Sequence, residues 1–311
     1  MRKVSGILLV GLCLGAVGAM VFVPQLKTAS PRPIAITAMA SPSSPAPPPS
    51  PSLTPEPKPK SDSSASSVPP EPQQDAPSAP DKAALDALVP GGKVSAIVFD
   101  RVTGKTTLSV REDTAYTSAS LVKLLIATEV LTSGTTPAAT VGRMLSHSDD
   151  NIANALWVVG GGPQIVTRWA SRMGLTSTRA PADPGRWGDT LITASDVVRI
   201  YRYLLDDAPA SIRTTILTAL RGATEQGADG FRQYFGIPDG ADGLQWAVKQ
   251  GWSCCRPTRI LHTSGLLGQS DQSDRFVVAV LTSQPQSVSY ATGSRRVTSV
   301  VSALHPLLTQ P

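Results

Sequence analysis

Cysteine is scarce in this chain, with three in 311 residues, too few for a disulfide scaffold. Aromatic residues make up only 5%, which argues against the stacking platforms that bind single-stranded nucleic acids. Lys and Arg do not cluster either. Residues 1–80 carry six Lys/Arg and four Asp/Glu of a chain total of 28 and 23, which leaves 22 against 19 for residues 81–311. So mild a balance is no nucleic-acid footprint. His147, His262 and His305 are scattered without metal-ligand spacing. Cys254 and Cys255 are adjacent, with Cα atoms ~3.8 Å apart, so a bridge between them would be strained and two thiols alone make no metal site. No metal or cofactor is expected.

What is present falls into three stretches. Arg2 and Lys3 precede an uncharged run from Val4 to Val23, long enough to cross a ~30 Å hydrocarbon core as a helix. Ala38-Met39-Ala40 has the residues of a cleavage site but lies far downstream, so residues 1–24 read as a signal anchor in preference to a cleaved signal peptide. Cys13 follows Leu12, where a lipid-acceptor cysteine wants a small residue, which argues against lipidation. The positive pair would stay inside and the rest would be extracytoplasmic. Residues 25–80 form a Pro/Ser/Ala-rich linker, with fourteen of the 28 prolines between 41 and 80. Such a segment builds no core and reads as a semi-rigid spacer.

The folded domain is expected over 81–311. Lys82 to Val89 reads as a helix, and Lys93–Asp100 and Lys105–Val110 as strands around Thr103-Gly104. An apolar helix carrying Ser120 runs to about Thr132. Helices follow at 140–145, 152–159, 163–173, 194–205 and 211–220, interrupted by a loop at 176–190 that holds Pro181, Pro184 and Gly185. Strands return at 245–252, 259–265 and 275–282, and a last helix from about Thr292 to Leu304 should stop before Pro306. Strands at both ends with helices between them predict an α/β/α sheet layer with a helical insertion.

Three short stretches carry chemistry. In Ser120-Leu121-Val122-Lys123, positions i and i+3 share a helix face, so a hydroxyl and an amine can meet beside the positive end of a helix. A serine with an amine base is the minimum for nucleophilic acyl transfer. Ser148-Asp149-Asp150 stands at a helix junction, and Lys249-Gln250-Gly251-Trp252 on a strand. There a lysine can attract a substrate carboxylate, and the glycine lets backbone approach so that an N–H serves an oxyanion. The plainer readings are a helix cap for Ser148 and a solvated strand lysine for Lys249.

Ser-x-x-Lys, then Ser-Asp-Asn, then Lys-Thr-Gly in this order resembles the signature of class A β-lactamases and penicillin-binding proteins, and the resemblance spans about 82 to 308. It implies a β-lactamase/transpeptidase-like α/β fold, with an antiparallel sheet flanked by helices and a reduced inserted all-α subdomain. It also implies that Ser120 is acylated with Lys123 as its base. Ser148 and Lys249 would relay a proton and grip a carboxylate, and Asp150 would meet the substrate amide. The N–H groups of Ser120 and Trp252 would make the oxyanion hole, with Gln250 and Gly251 beside it. The implied partner is a β-lactam or a peptidoglycan peptide, with the membrane reached through the N-terminal helix and no nucleic acid.

Departures from the pattern are expected to matter. Asp150 stands for an asparagine and is acceptor-only when ionised. Gln250 stands for a threonine, and only 28 positions separate Ser120 from Ser148, so part of the helical subdomain and one wall of the cleft should be missing. Class A enzymes carry a deacylating glutamate in the loop region; here no glutamate lies between Glu129 and Glu225, and Asp183 and Asp189 are the loop's only carboxylates. Fast release of an acyl-enzyme is therefore not expected. The alternatives are a non-catalytic relative that binds cell-wall material or a protein, or an esterase or amidase on another substrate.

Overall fold

The computed structural model describes residues 79–254 and 257–309. The expected anchor and all but the last two residues of the expected linker lie outside them, as do Cys255 and Arg256. Among the described residues no helix is long and apolar enough to cross a membrane.

The elements in order are α1 (Lys82–Leu88), β1 (Lys93–Asp100), β2 (Lys105–Val110), β3 (Tyr116–Thr117), a 3-10 turn (Ala119–Val122), α2 (Lys123–Thr132), α3 (Ala138–Ser146), α4 (Asp150–Val159) and α5 (Pro163–Met173). A second 3-10 turn (Trp187–Asp189), β4 (Leu191–Ile192), α6 (Ala194–Arg202), a π-turn (Tyr203–Asp207), α7 (Ala210–Arg221), α8 (Ile237–Gly240), β5 (Gln245–Ser253), β6 (Arg259–Gly268), β7 (Phe276–Gln284) and α9 (Tyr290–Leu308) complete it. Five strands form one antiparallel sheet in the order β2-β1-β7-β6-β5.

Strand periodicity sorts side chains between two cores, because successive residues face opposite sides of a sheet. On β7, Phe276, Val278 and Val280 pack with α1 and α9, while Val277, Ala279 and Leu281 pack with the helices of the insertion. All six are buried, which suits a central strand covered on both faces. Full burial of each large one is worth roughly 1.5–3 kcal/mol.

Most expected elements occur within a few residues of their predicted bounds. The last helix does not stop where expected: α9 runs through Pro306 to Leu308. Proline removes one helical hydrogen bond, but Leu304, Leu307 and Leu308 are buried in the core on α9's inner face, and that burial holds the final turn.

Several caps follow local rules. Asp81 caps α1 at the Ala84 N–H, Thr193 caps α6 at the Asp196 N–H, and Asp149 caps α4 at the N–H groups of Asn151 and Ile152. Asp196 also accepts from the Thr176 and Ser177 N–H groups and from Thr178 Oγ1, with Arg199 Nη1 at 2.7 Å. It thereby fixes the entrance to the 176–190 loop.

Candidate active site

The nucleophile turn is built by a short strand, a strained residue and a tight helix. β3 pairs with β4, and Ala119 then takes φ 46°, a left-handed backbone that costs a non-glycine residue of order 1–3 kcal/mol. The turn Ala119–Val122 is 3-10, with three residues per turn, so side chains at i and i+3 eclipse. Lys123 Nζ lies 3.0 Å from Ser120 Oγ. Leu124, Leu125, Ile126 and Ala127 bury α2 on all sides.

Ser148 is not the helix cap; that bond belongs to Asp149. Ser148 sits at φ 51°, the second strained residue here. Lys123 Nζ reaches Ser148 Oγ at 3.2 Å and its carbonyl oxygen at 2.7 Å, and Lys249 Nζ donates to Ser148 Oγ at 2.9 Å. Ser120, Lys123, Ser148 and Lys249, far apart in sequence, thus form one connected and buried group. Lys249 is not solvated.

Burial dominates the electrostatics. It pushes the Lys123 amine below its ordinary pKa, against the pull of the Asp150 carboxylate 2.5 Å away. It pushes Lys249 well below its ordinary value, helped by the charge of Lys123 and opposed by Asp150 and Asp229. A lysine with a depressed pKa is one that can act as a base.

β5 is the edge strand beside the nucleophile turn. Gly251 faces that turn, where an added Cβ would meet the Ser118 carbonyl oxygen at 3.0 Å and Leu121 Cγ at 3.3 Å. The absence of a side chain is what lets edge and turn close together. Gln250 does not face the cleft, contrary to expectation. Alternation turns it to the other side of β5, where its buried amide donates to the carbonyls of Gln233 and Phe235 at 2.8 and 2.6 Å. The Trp252 indole lines the cleft, stacks on Phe231 (centroids 4.7 Å apart) and donates to Asp229 Oδ2 at 2.9 Å.

The cleft encloses about 740 Å³, and Ser120, Asp150, Trp187, Asp189, Asp229 and Trp252 are among its lining residues. The loop supplies one wall. Trp187 lays its ring 5.0 Å from Lys123 Nζ and donates its indole N–H to Asn154 Oδ1 at 2.7 Å. Trp157 Nε1 holds the Pro184 carbonyl at 2.8 Å. Asp183 Oδ1 accepts from the Gly185 N–H, and Asp189 is paired with Arg186. An aromatic ring, with no free carboxylate beside it, is what the loop presents to Lys123.

Four contributors are missing from the sequence reading. Ser264 lies across from Lys249 in β6 and donates to its carbonyl at 3.1 Å, backed by the Tyr201 hydroxyl. His262 Nε2 holds the Thr117 carbonyl at 2.9 Å, three residues before Ser120, while its Nδ1 accepts from the Thr282 N–H at 3.1 Å. Those two bonds define a neutral ring, and burial pulls its pKa down to about 4. Trp187 and Asp229 complete the set. Cross-strand register could have pointed to Ser264; the others depend on long-range packing that no local pattern encodes. His147 pairs with Ser146 Oγ, and Cys254 is exposed at the cleft margin with a free thiol.

The sequence profile of the Beta-lactamase enzyme family matches residues 133–305. This chain belongs to that family. The match begins beyond Ser120 and Lys123, so the nucleophile pair rests on its own geometry. A relative in Mycobacterium tuberculosis, described as "Putative lipoprotein LppW", is 34% identical over 244 residues, or 75% of this chain and 76% of the relative. A solved β-lactamase from Desulfarculus baarsii superposes with a TM-score of 0.59 at 20% identity, covering 74% of this chain and 96% of that one. A PBP-A variant solved as its acyl-enzyme complex with penicillin G gives 0.59 at 16% identity, covering 72% and 94%. These structures share the fold: an antiparallel sheet flanked by helices.

Proposed function

We propose that the chain is an extracytoplasmic, membrane-tethered serine acyl-transferase or hydrolase of β-lactamase type, which forms an acyl-enzyme on Ser120 with β-lactams or peptidoglycan peptides. The observation that carries the reading is the buried Ser120–Lys123–Ser148–Lys249 group. In this mechanism the Lys123 amine, held below its ordinary pKa by burial, takes the Ser120 proton as Oγ attacks the carbonyl carbon. The N–H groups of Ser120 and Trp252 stabilise the oxyanion. The proton then reaches the leaving group through Ser148, whose hydroxyl touches both lysines. Deacylation is slow, because of the loop's two carboxylates Asp189 is paired with Arg186 and Asp183 is not among the cleft-lining residues, and Trp187 covers Lys123. Tethering rests on the uncharged run from Val4 to Val23 and on the lipoprotein description of the relative.

Fluorescent penicillin with the full-length protein tests the reading. A covalent adduct on Ser120, stable for minutes or longer and absent in Ser120→Ala, is the expected result. No adduct from any β-lactam or peptide ester would refute it and favour a cleft that only binds.

A further inference from the structure

The cleft wall beside the nucleophile is an acceptor where an acylated substrate would need a donor. Asp150 Oδ1 and Ser120 Oγ share the Lys123 amine, at 2.5 and 3.0 Å. The carboxylate therefore stands within two hydrogen bonds of the attacking oxygen. Its side chain is 60% exposed and lines the cleft, so it is open to incoming substrate. An ionised carboxylate can only accept. It repels a carbonyl oxygen and favours an N–H or an ammonium.

The surrounding charge points the same way. Among the described residues, Asp229 accepts hydrogen bonds from the neutral N–H groups of Trp252 and Phe231 and forms no ion pair. Arg186 is neutralised by Asp189. Burial lowers the pKa of both Lys123 and Lys249, and a Lys123 that serves as the base leaves the Asp150 carboxylate without its counter-ion. Lys93 is a further cation among the lining residues and is held on β1. On this wall of the cleft, Asp150 and Asp229 present carboxylates to an incoming substrate.

We infer that the acyl donor carries a free ammonium on the atom next to its scissile carbonyl, as in an aminoacyl ester or an unblocked peptide, and that Asp150 and Asp229 select it over its N-acylated counterpart. The inference rests on acylation at Ser120. In the acylation step the Ser120 Oγ–carbon bond forms and the bond from carbon to the leaving group breaks. The Ser120 proton passes to the leaving group by way of Lys123 and Ser148. An ammonium α to that carbon would be placed to meet Asp150, which shares the Lys123 amine with the attacking oxygen.

The test uses full-length protein in detergent and two alanine thioesters with the same leaving thiol, one with a free amino group and one N-acetylated, each made from both enantiomers. Thiol release gives kcat/KM, and intact mass gives the adduct on Ser120. The expected result is at least a tenfold preference for the free amine in one enantiomer. That ratio should fall severalfold in Asp229→Asn and level or invert in Asp150→Asn, whose amide can donate to the acetyl carbonyl. Taking the ratio of two substrates removes any common change in Lys123 reactivity. Equal rates, or faster reaction of the acetylated ester in the wild type, would overturn the inference while leaving acylation intact. So would penicillin labelling of Ser120 with both thioesters inert. If neither thioester nor penicillin leaves an adduct, the acyl-transfer reading fails and this one with it.

Discussion

His262 should make the protein selectively acid-labile. Its ring is fully buried, edge-on to Tyr116, with Nε2 on the Thr117 carbonyl and Nδ1 on the Thr282 N–H. Burial disfavours the charged ring and outweighs the hydrogen bond to the Thr117 carbonyl, so the folded state resists protonation and the pKa falls from 6.5 to about 4. The unfolded chain takes up that proton near its ordinary pKa. The folded state therefore has its full stability above pH 6.5 and loses it as pH falls toward 4. At 1.36 kcal/mol per unit, the gap amounts to about 3 kcal/mol. The perturbation is His262→Phe, which keeps the ring's bulk but removes the titration. It leaves two buried polar groups unpaired, so it should cost roughly 2–4 kcal/mol at pH 7.5. Urea unfolding followed by tryptophan fluorescence, at steps from pH 7.5 to 4.5, measures both. Wild type and variant should converge as pH falls, because carboxylate contributions are common to the two. Parallel loss of stability would refute the reasoning. Thr117 leads into the nucleophile turn, so penicillin labelling of the variant should slow even at pH 7.5.

Trp187→Ala should shorten the life of a preformed Ser120 adduct severalfold, because it removes the ring over Lys123 and admits water; a chase followed by intact mass reads it, and an unchanged lifetime would exclude the ring as a barrier. Gly251→Val should cut acylation tenfold or more while leaving the thermal midpoint within a few degrees, since its side chain would push directly on the Ser118 carbonyl. Gly236→Ala should instead act on folding, lowering stability by about 1–3 kcal/mol in denaturant titration. There φ is +63° and an added Cβ would lie 2.6 Å from Thr263 Cβ.

Periodic patterns made the sheet and most helices legible, because burial on a strand or helix leaves a mark every two or every three to four residues. The same rule, applied one step further, would have turned Gln250 away from the cleft: if Lys249 and Gly251 face the nucleophile turn, the residue between them cannot. Pro306 misled because a local rule about chain termination yielded to burial of Leu307 and Leu308. Ser120, Lys123, Ser148 and Lys249 could be picked out one by one, each from an unusual residue at a helix start, a junction or a strand. Their convergence could not be, since it depends on two left-handed residues, Ala119 and Ser148, that carry no sequence mark. Trp187 and Asp229 stayed invisible for a similar reason, as each acquires its place through a partner more than twenty residues away.

Four oxygens stand within 3.2 Å of Lys123 Nζ: Ser120 Oγ, Ser148 Oγ, the Ser148 carbonyl and Asp150 Oδ1. An ammonium has three hydrogens. The count does not close, and it does not close for the neutral amine either, whose two hydrogens and one lone pair also meet three partners. One serine hydroxyl must then turn its own hydrogen inward, and Ser120 and Ser148 compete for that part. The resting site is therefore a set of proton arrangements that differ by the turn of a hydroxyl while the heavy atoms stay in place. A substrate that enters has only to choose among them.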